Sequence, residues 1–92
     1  MTNLNLNDPS LLETRGYVNG QWIEKDETFA VMNPATGEAI ANVADLSVAD
    51  TTSAIDAAYA AKPDWASWTG KERAAVLRKW YDLIVANADD LA

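Results

Sequence analysis

Carboxylates are the reactive side chains this 92-residue sequence has in quantity: Asp and Glu number 14 against 7 Lys and Arg, with no His and no Cys. The two commonest pairings of a nucleophile with an activating base are therefore excluded within these residues. A metal would have to be held by oxygen alone, yet the acids show no D-x-D-x-D-G calcium-loop spacing. A phosphate cradle needs glycines at fixed spacing, and the four Gly form neither G-x-G-x-x-G nor G-x-x-x-x-G-K. Read from its residues, the chain is expected to hold no catalytic, cofactor-binding or metal-ligating side chain of its own.

Composition narrows the partners. The sequence is 49% hydrophobic and has four Trp, which argues for folded structure, although much of the apolar content is Ala. The net charge is −7 and no basic patch accompanies the aromatics, so no nucleic-acid partner is expected. Without Cys there is no disulfide framework. The start, "MTNLNLNDPSLLETRG", lacks the basic and apolar regions of a signal peptide, and no apolar run reaches the length of a membrane span. The expectation is a cytoplasmic protein with no membrane partner.

Local patterns supply the elements. Residues 1–16 read as a polar arm in which Asp8-Pro9 or Ser10 can begin a helical turn. In "YVNGQWI", Asn19-Gly20 sits between apolar pairs, the strongest short signal for a hairpin turn with two positive-φ residues. "EKDET" is a charged link. In "FAVMNPATGEAIANV", Asn33-Pro34 stops a strand, Gly37 supplies a left-handed position, and "EAIANV" returns, giving a second hairpin around a five-residue loop "NPATG".

The period changes at Ser47. Ser47 to Asp50 matches S-x-x-D, and a helix is expected from about Val48 to Ala61, stopped by Pro63. Val48, Thr52, Ile55 and Tyr59 share one stripe, beside a small-residue face of Ala54, Ala57, Ala58 and Ala61 that allows close approach of another backbone. "PDWASW" reads as a connector whose two Trp plug the space between helices rather than stack a ligand ring. Thr69 to Glu72 matches T-x-x-E and opens a second helix through about Asn87. Its polar stripe is narrow (Lys71, Arg78, Asp82, Asp89), while Val76, Leu77, Trp80, Tyr81, Leu83, Ile84 and Ala88 fill most of the rest. A helix apolar on most sides is normally buried in something larger. The sequence reads as architecture that continues past Ala92.

Together "NG-x-W", "NPATGE" and "W-x-x-x-x-x-x-ER-x-x-x-L-x-K" leading to "D-L-A" make Tyr17 to Ala92 resemble the amino-terminal end of the NAD(P)-dependent aldehyde dehydrogenases. The stretch "AIDAAYAAKPDWASWTGKERAAVLRKWYDLIVANADDLA" and the short arm are most similar to the bacterial succinate-semialdehyde branch. The resemblance implies an α+β fragment, two β-hairpins followed by two α-helices, corresponding to the amino-terminal part of the family's α/β fold. Its parts are an arm at 1–16, two hairpins at 17–46 and a helical pair at 47–92, all within one incomplete cofactor-binding domain.

The resemblance also implies a reaction. A Cys thiolate attacks the aldehyde, hydride passes to NAD or NADP, and a Glu-activated water releases the acid. All of those groups lie downstream in the family, so no catalytic or cofactor-binding residue transfers here, no cofactor is expected in this chain, and the chain alone is expected to be inactive. Some members hold a monovalent cation with backbone carbonyls just before "NP", here Val31 and Met32, with other ligands beyond Ala92. No cation is expected in the fragment. The partners implied are the remainder of a dehydrogenase chain and further copies in a homo-oligomer. Other readings are a family member acting on a different aldehyde, such as an aminoaldehyde or betaine aldehyde, and a free-standing non-catalytic module that self-associates or binds a partner through its apolar helix face.

Overall fold

A computed structural model of the chain describes residues 4–92. It contains two antiparallel strand pairs followed by helices, as the fold class requires. Two compact units divide it, Met1–Ala58 and Tyr59–Ala92.

In the first unit the arm makes a single 3-10 turn at Pro9–Leu11. Asp8 caps it, its Oδ1 accepting from the Ser10 N–H at 3.1 Å and from the Ser10 hydroxyl at 2.6 Å. Strands β1 (Gly16–Val18) and β2 (Gln21–Ile23) pair with Tyr17 opposite Trp22. Asn19 at φ 51° and Gly20 at φ 76° form the tight turn between them.

The second hairpin joins β3 (Thr28–Met32) to β4 (Ala39–Ala44). Its turn is stabilised more fully than Pro34 and Gly37 alone convey. The Asn33 side chain accepts from the Ala35 N–H at 2.9 Å, the Gly37 N–H donates to the Asn33 carbonyl at 2.7 Å, and the Asn33 N–H donates to the Glu38 carbonyl at 2.8 Å. Glu38 therefore belongs to the loop, one residue more than "NPATG". Val31 faces Ala41 and Met32 faces Ala39, so the register slips by one residue and leaves a bulge beside the loop.

The hairpins are tied to what surrounds them by backbone bonds and one close contact. The Ala44 N–H donates to Thr14 and the Asp45 N–H donates to Glu27, at 2.8 and 3.0 Å. A Cβ on Gly16 would meet Leu46 Cδ1 at 2.6 Å, so glycine there lets that leucine lie against the strand.

Helix α1 spans Val48–Ser67. Its start is as expected: the Ser47 hydroxyl accepts from the Asp50 N–H at 3.1 Å, and Asp50 accepts from the Ser47 N–H at 2.8 Å. Its end is not. Pro63 lies inside the helix, and "PDWAS" continues it where a connector was expected. Proline lacks the N–H that would bond the Tyr59 carbonyl, but that removes a single i→i−4 bond. The residues after it keep their own donors, and the last turn closes with the Ser67 hydroxyl on the Asp64 carbonyl at 2.6 Å and the Trp68 N–H on the Trp65 carbonyl at 3.2 Å.

The second unit holds the end of α1, α2 (Gly70–Ala86) and a short α3 (Ala88–Leu91). Thr69 and Glu72 make a complete capping box at 3.1 and 2.8 Å. Asn87 ends α2: its backbone N–H and its side-chain amide both donate to the Leu83 carbonyl. Among the described residues Ala41 is the one buried apolar side chain.

Candidate functional site

Three features have the placement to act: a polar node at the start of α1, an aromatic cluster on the first hairpin, and the apolar face of α2.

At the node a single oxygen, Asp50 Oδ2, receives three donors: the Ser47 N–H at 2.8 Å, the Ser47 hydroxyl at 2.9 Å and the Lys25 ammonium at 2.7 Å. The lysine's hydrogen bond, followed by the Ser47 backbone and hydroxyl, lowers the Asp50 carboxyl from its ordinary 3.8 to about 2. Sequence reasoning found the Ser47 half of this node and missed Lys25. Its only signal was a lysine in the charged "EKDET" link.

On the first hairpin the Arg15 guanidinium forks onto Glu13, Nε to Oε1 at 2.8 Å and an Nη to Oε2 at 3.0 Å. The same guanidinium lies 5.2 Å from the Trp22 ring centroid, and Trp22 in turn meets Tyr17 with centroids 4.7 Å apart. Arg15 holds the Glu13 carboxyl down at about 2. Thr69 likewise lowers Glu72 through the capping box. All three of these carboxylates have their ionised form favoured by the donors they accept from. A general base near neutrality needs the opposite tuning, so they are anchors and not proton carriers.

Among the described residues no group of three or more His, Cys, Asp or Glu is arranged to hold a metal ion. Val31 and Met32, whose carbonyls were the nearest approach to a cation site, lie in β3 at the bulge, opposite Ala41 and Ala39. No described helix is long and apolar enough to cross a membrane.

The apolar surface is the largest feature. On α2, Leu77, Trp80, Tyr81, Leu83, Ile84 and Val85 are all exposed, Leu83 by 63%. Arg78 reaches Asp82 at 3.7 Å along the polar stripe and lies over the Tyr81 ring at 5.0 Å. The two connector tryptophans do not plug a gap as expected: they pack on one another, centroids 5.2 Å apart, and keep 40% and 37% of their surface exposed. On α1 the stripe of Val48, Ile55 and Tyr59 is exposed as well. Contiguous exposed apolar surface of this kind is what marks an interface in a folded protein.

Comparison with known proteins places the chain in a family. The family model described as "Aldehyde dehydrogenase family" matches residues 22–92. The chain is 45% identical over 91 residues to a glutarate-semialdehyde dehydrogenase of Pseudomonas putida, covering 97% of this chain and 19% of that protein. It is 40% identical over 91 residues to a protein of Escherichia coli named as an NADP(+) succinate-semialdehyde dehydrogenase, with the same coverage. Among solved structures, succinate-semialdehyde dehydrogenase from Burkholderia pseudomallei is similar at 48% identity and a TM-score of 0.88, over 95% of this chain and 18% of that one. The chain thus spans about a fifth of the length of the relatives it matches.

Proposed function

Because the chain belongs to the aldehyde dehydrogenase family, we propose that it is the amino-terminal segment of an enzyme that oxidises succinate semialdehyde to succinate with NAD or NADP. The observation that carries this reading is that sequence and backbone agree with the solved succinate-semialdehyde dehydrogenase over nearly the whole chain. The segment's own part is structural. The node and the hairpins fix unit 1, and α2 offers an apolar face to the rest of a longer chain.

In this reading the nucleophile, its base and the dinucleotide pocket belong to the rest of that longer chain. The residues present fit no dinucleotide: they include no glycine-rich turn to approach a pyrophosphate. The 92 residues alone are accordingly inactive. The parent enzyme is assigned to the cytoplasm and to a homo-oligomeric assembly, as the family resemblance leads one to expect.

A second substrate has specific support, since the Pseudomonas putida relative carries glutarate semialdehyde in its name. The two aldehydes differ by one methylene, which a pocket discriminates by about 10–200-fold. Both present an aldehyde at one end and a carboxylate at the other.

One preparation tests the proposal: the protein as its cells make it, captured by an antibody to this sequence. The expected result is a mass several times 10.0 kDa, with dinucleotide-dependent turnover of succinate semialdehyde exceeding that of glutarate semialdehyde. Faster glutarate semialdehyde turnover would move the substrate to the second reading. A mass matching these residues alone, with no turnover, would replace the enzyme by a free-standing binding module.

A further inference from the structure

We propose that Asn19-Gly20, the turn of the first hairpin, is a site of spontaneous covalent modification, at which the Asn19 side-chain amide is lost as ammonia through a cyclic imide. This goes beyond the dehydrogenase reading, because it is a reaction of the chain itself.

The chemistry needs a nucleophilic nitrogen one residue after an asparagine. The Gly20 backbone nitrogen, once it sheds its proton, attacks Cγ of Asn19. The Cγ–Nδ2 bond breaks, the nitrogen leaves as ammonia with that proton, and a cyclic imide closes. Water then opens the ring. Addition at Cγ restores the original peptide bond and leaves aspartate. Addition at the main-chain carbonyl carbon leaves isoaspartate, with the chain running through Cγ. In sum one water is consumed and one ammonia released, with no oxidant or reductant.

The turn leaves every one of these groups open. Val18 pairs with Gln21, so the ladder of β1 and β2 closes outside Asn19 and Gly20. Both turn residues are exposed, and among the described residues neither the Asn19 side chain nor the Gly20 N–H has a hydrogen-bond partner. Gly20 has no Cβ to crowd the attacking nitrogen, and nothing lies within 4 Å of where one would stand.

The other described asparagines each lack one of these conditions. Asn33 precedes Pro34, which has no N–H to become the nucleophile, and its side chain accepts from the Ala35 N–H. Asn87 spends its side-chain amide on the Leu83 carbonyl. Asn42 is held in β4 opposite Ala30 and is followed by the branched Val43. Asn5 and Asn7 are engaged, and Leu6 and Asp8 crowd the nitrogens that follow them.

The two products differ in what they do to the hairpin. Aspartate is accepted in this turn type as readily as asparagine, so that product keeps the strands in place and adds one negative charge. Isoaspartate adds the Cβ of residue 19 to the backbone path, and a two-residue turn cannot absorb it without shifting the pairing of Tyr17 with Trp22.

The test uses the full-length protein as its cells make it, held folded at mildly alkaline pH and sampled over time. Trypsin at mildly acidic pH, where the reaction is slow, releases residues 16–25 between Arg15 and Lys25. The expected result is conversion of this peptide to two acidic forms of equal mass, only one of them cut by a protease specific for aspartate. Asn19 should convert at least about tenfold faster than any other asparagine of the chain. Another asparagine converting as fast would overturn the proposal. So would an Asn19 that stays amidated in the folded protein and converts only in urea. Neither result touches the dehydrogenase reading, which is decided by mass and turnover of the cellular protein.

Discussion

The Lys25 ammonium sits 2.7 Å from Asp50 Oδ2, joining the link after the first hairpin to the first turn of α1. This contact is non-local, and it converts a helix cap into a tie between elements. The Asp50 side chain keeps only 18% exposure while accepting from Ser47 as well. The carboxylate is therefore favoured in the folded chain by partners that the unfolded chain does not hold in place.

Acid should release this tie in a defined window. The folded-state pKa of Asp50 is depressed from 3.8 to about 2. The stabilisation is thus fully present above the ordinary carboxylate range and is lost as pH falls through about 2. Carbon-detected NMR of the Asp50 carboxyl should show a midpoint near 2 in the wild type. In Lys25→Met, which removes the largest cause, the midpoint should move back toward 3.8 without reaching it, since Ser47 still donates. A midpoint unaffected by Lys25→Met would show that the cap alone sets the pKa.

Two glycines should respond oppositely to alanine. Gly20 has open space around it but a φ of 76°, so Gly20→Ala should cost about 1 kcal/mol through the left-handed backbone alone. Gly70 also has nothing within 4 Å of a Cβ, but it opens α2 without a left-handed φ. Gly70→Ala should therefore stabilise the chain by about 0.5 kcal/mol. Urea titrations of the two variants against the parent chain give both signs.

The cap of α2 can be tested by its hydroxyl. Thr69→Ala leaves the Glu72 N–H without its acceptor and should cost about 1 kcal/mol, while Thr69→Ser keeps the oxygen and should cost far less. Thermal melts followed by far-ultraviolet circular dichroism separate the two. Equal losses in both variants would assign the effect to the methyl group and not to the cap.

What the sequence made legible was local. Asn19-Gly20, Gly37, the Ser47–Asp50 box and the Thr69–Glu72 box each depend on residues a few positions apart, and each stands where its spacing indicated. The exposed apolar surface of α2 was legible for the same reason, since helical periodicity reports how wide a face is. Lys25 was not legible, because its partner is set by how the chain folds back and not by any spacing. The slip between Met32 and Ala39 escaped too: an alternating pattern tolerates one extra residue without showing where it lies. The local rule that proline stops a helix fails at Pro63, because the residues after it keep their own donors and carry α1 on to Ser67.

Pro63 yields the sharpest test of the helix itself. Proline in a helix interior costs about 3 kcal/mol relative to alanine, through the missing bond and the clash of its ring with the carbonyl four residues back, here that of Tyr59. With α1 running to Ser67, Pro63→Ala restores a donor in mid-helix and should raise stability by about 2–3 kcal/mol, with a gain in helical ellipticity. Were α1 to end before Lys62 instead, the substituted position would lie in a connector and the same change would be close to neutral. The backbone amide that Pro63→Ala introduces decides the matter directly: hydrogen exchange slowed to the level of its neighbours in α1 places it inside the helix, and exchange at the rate of an open connector places it outside.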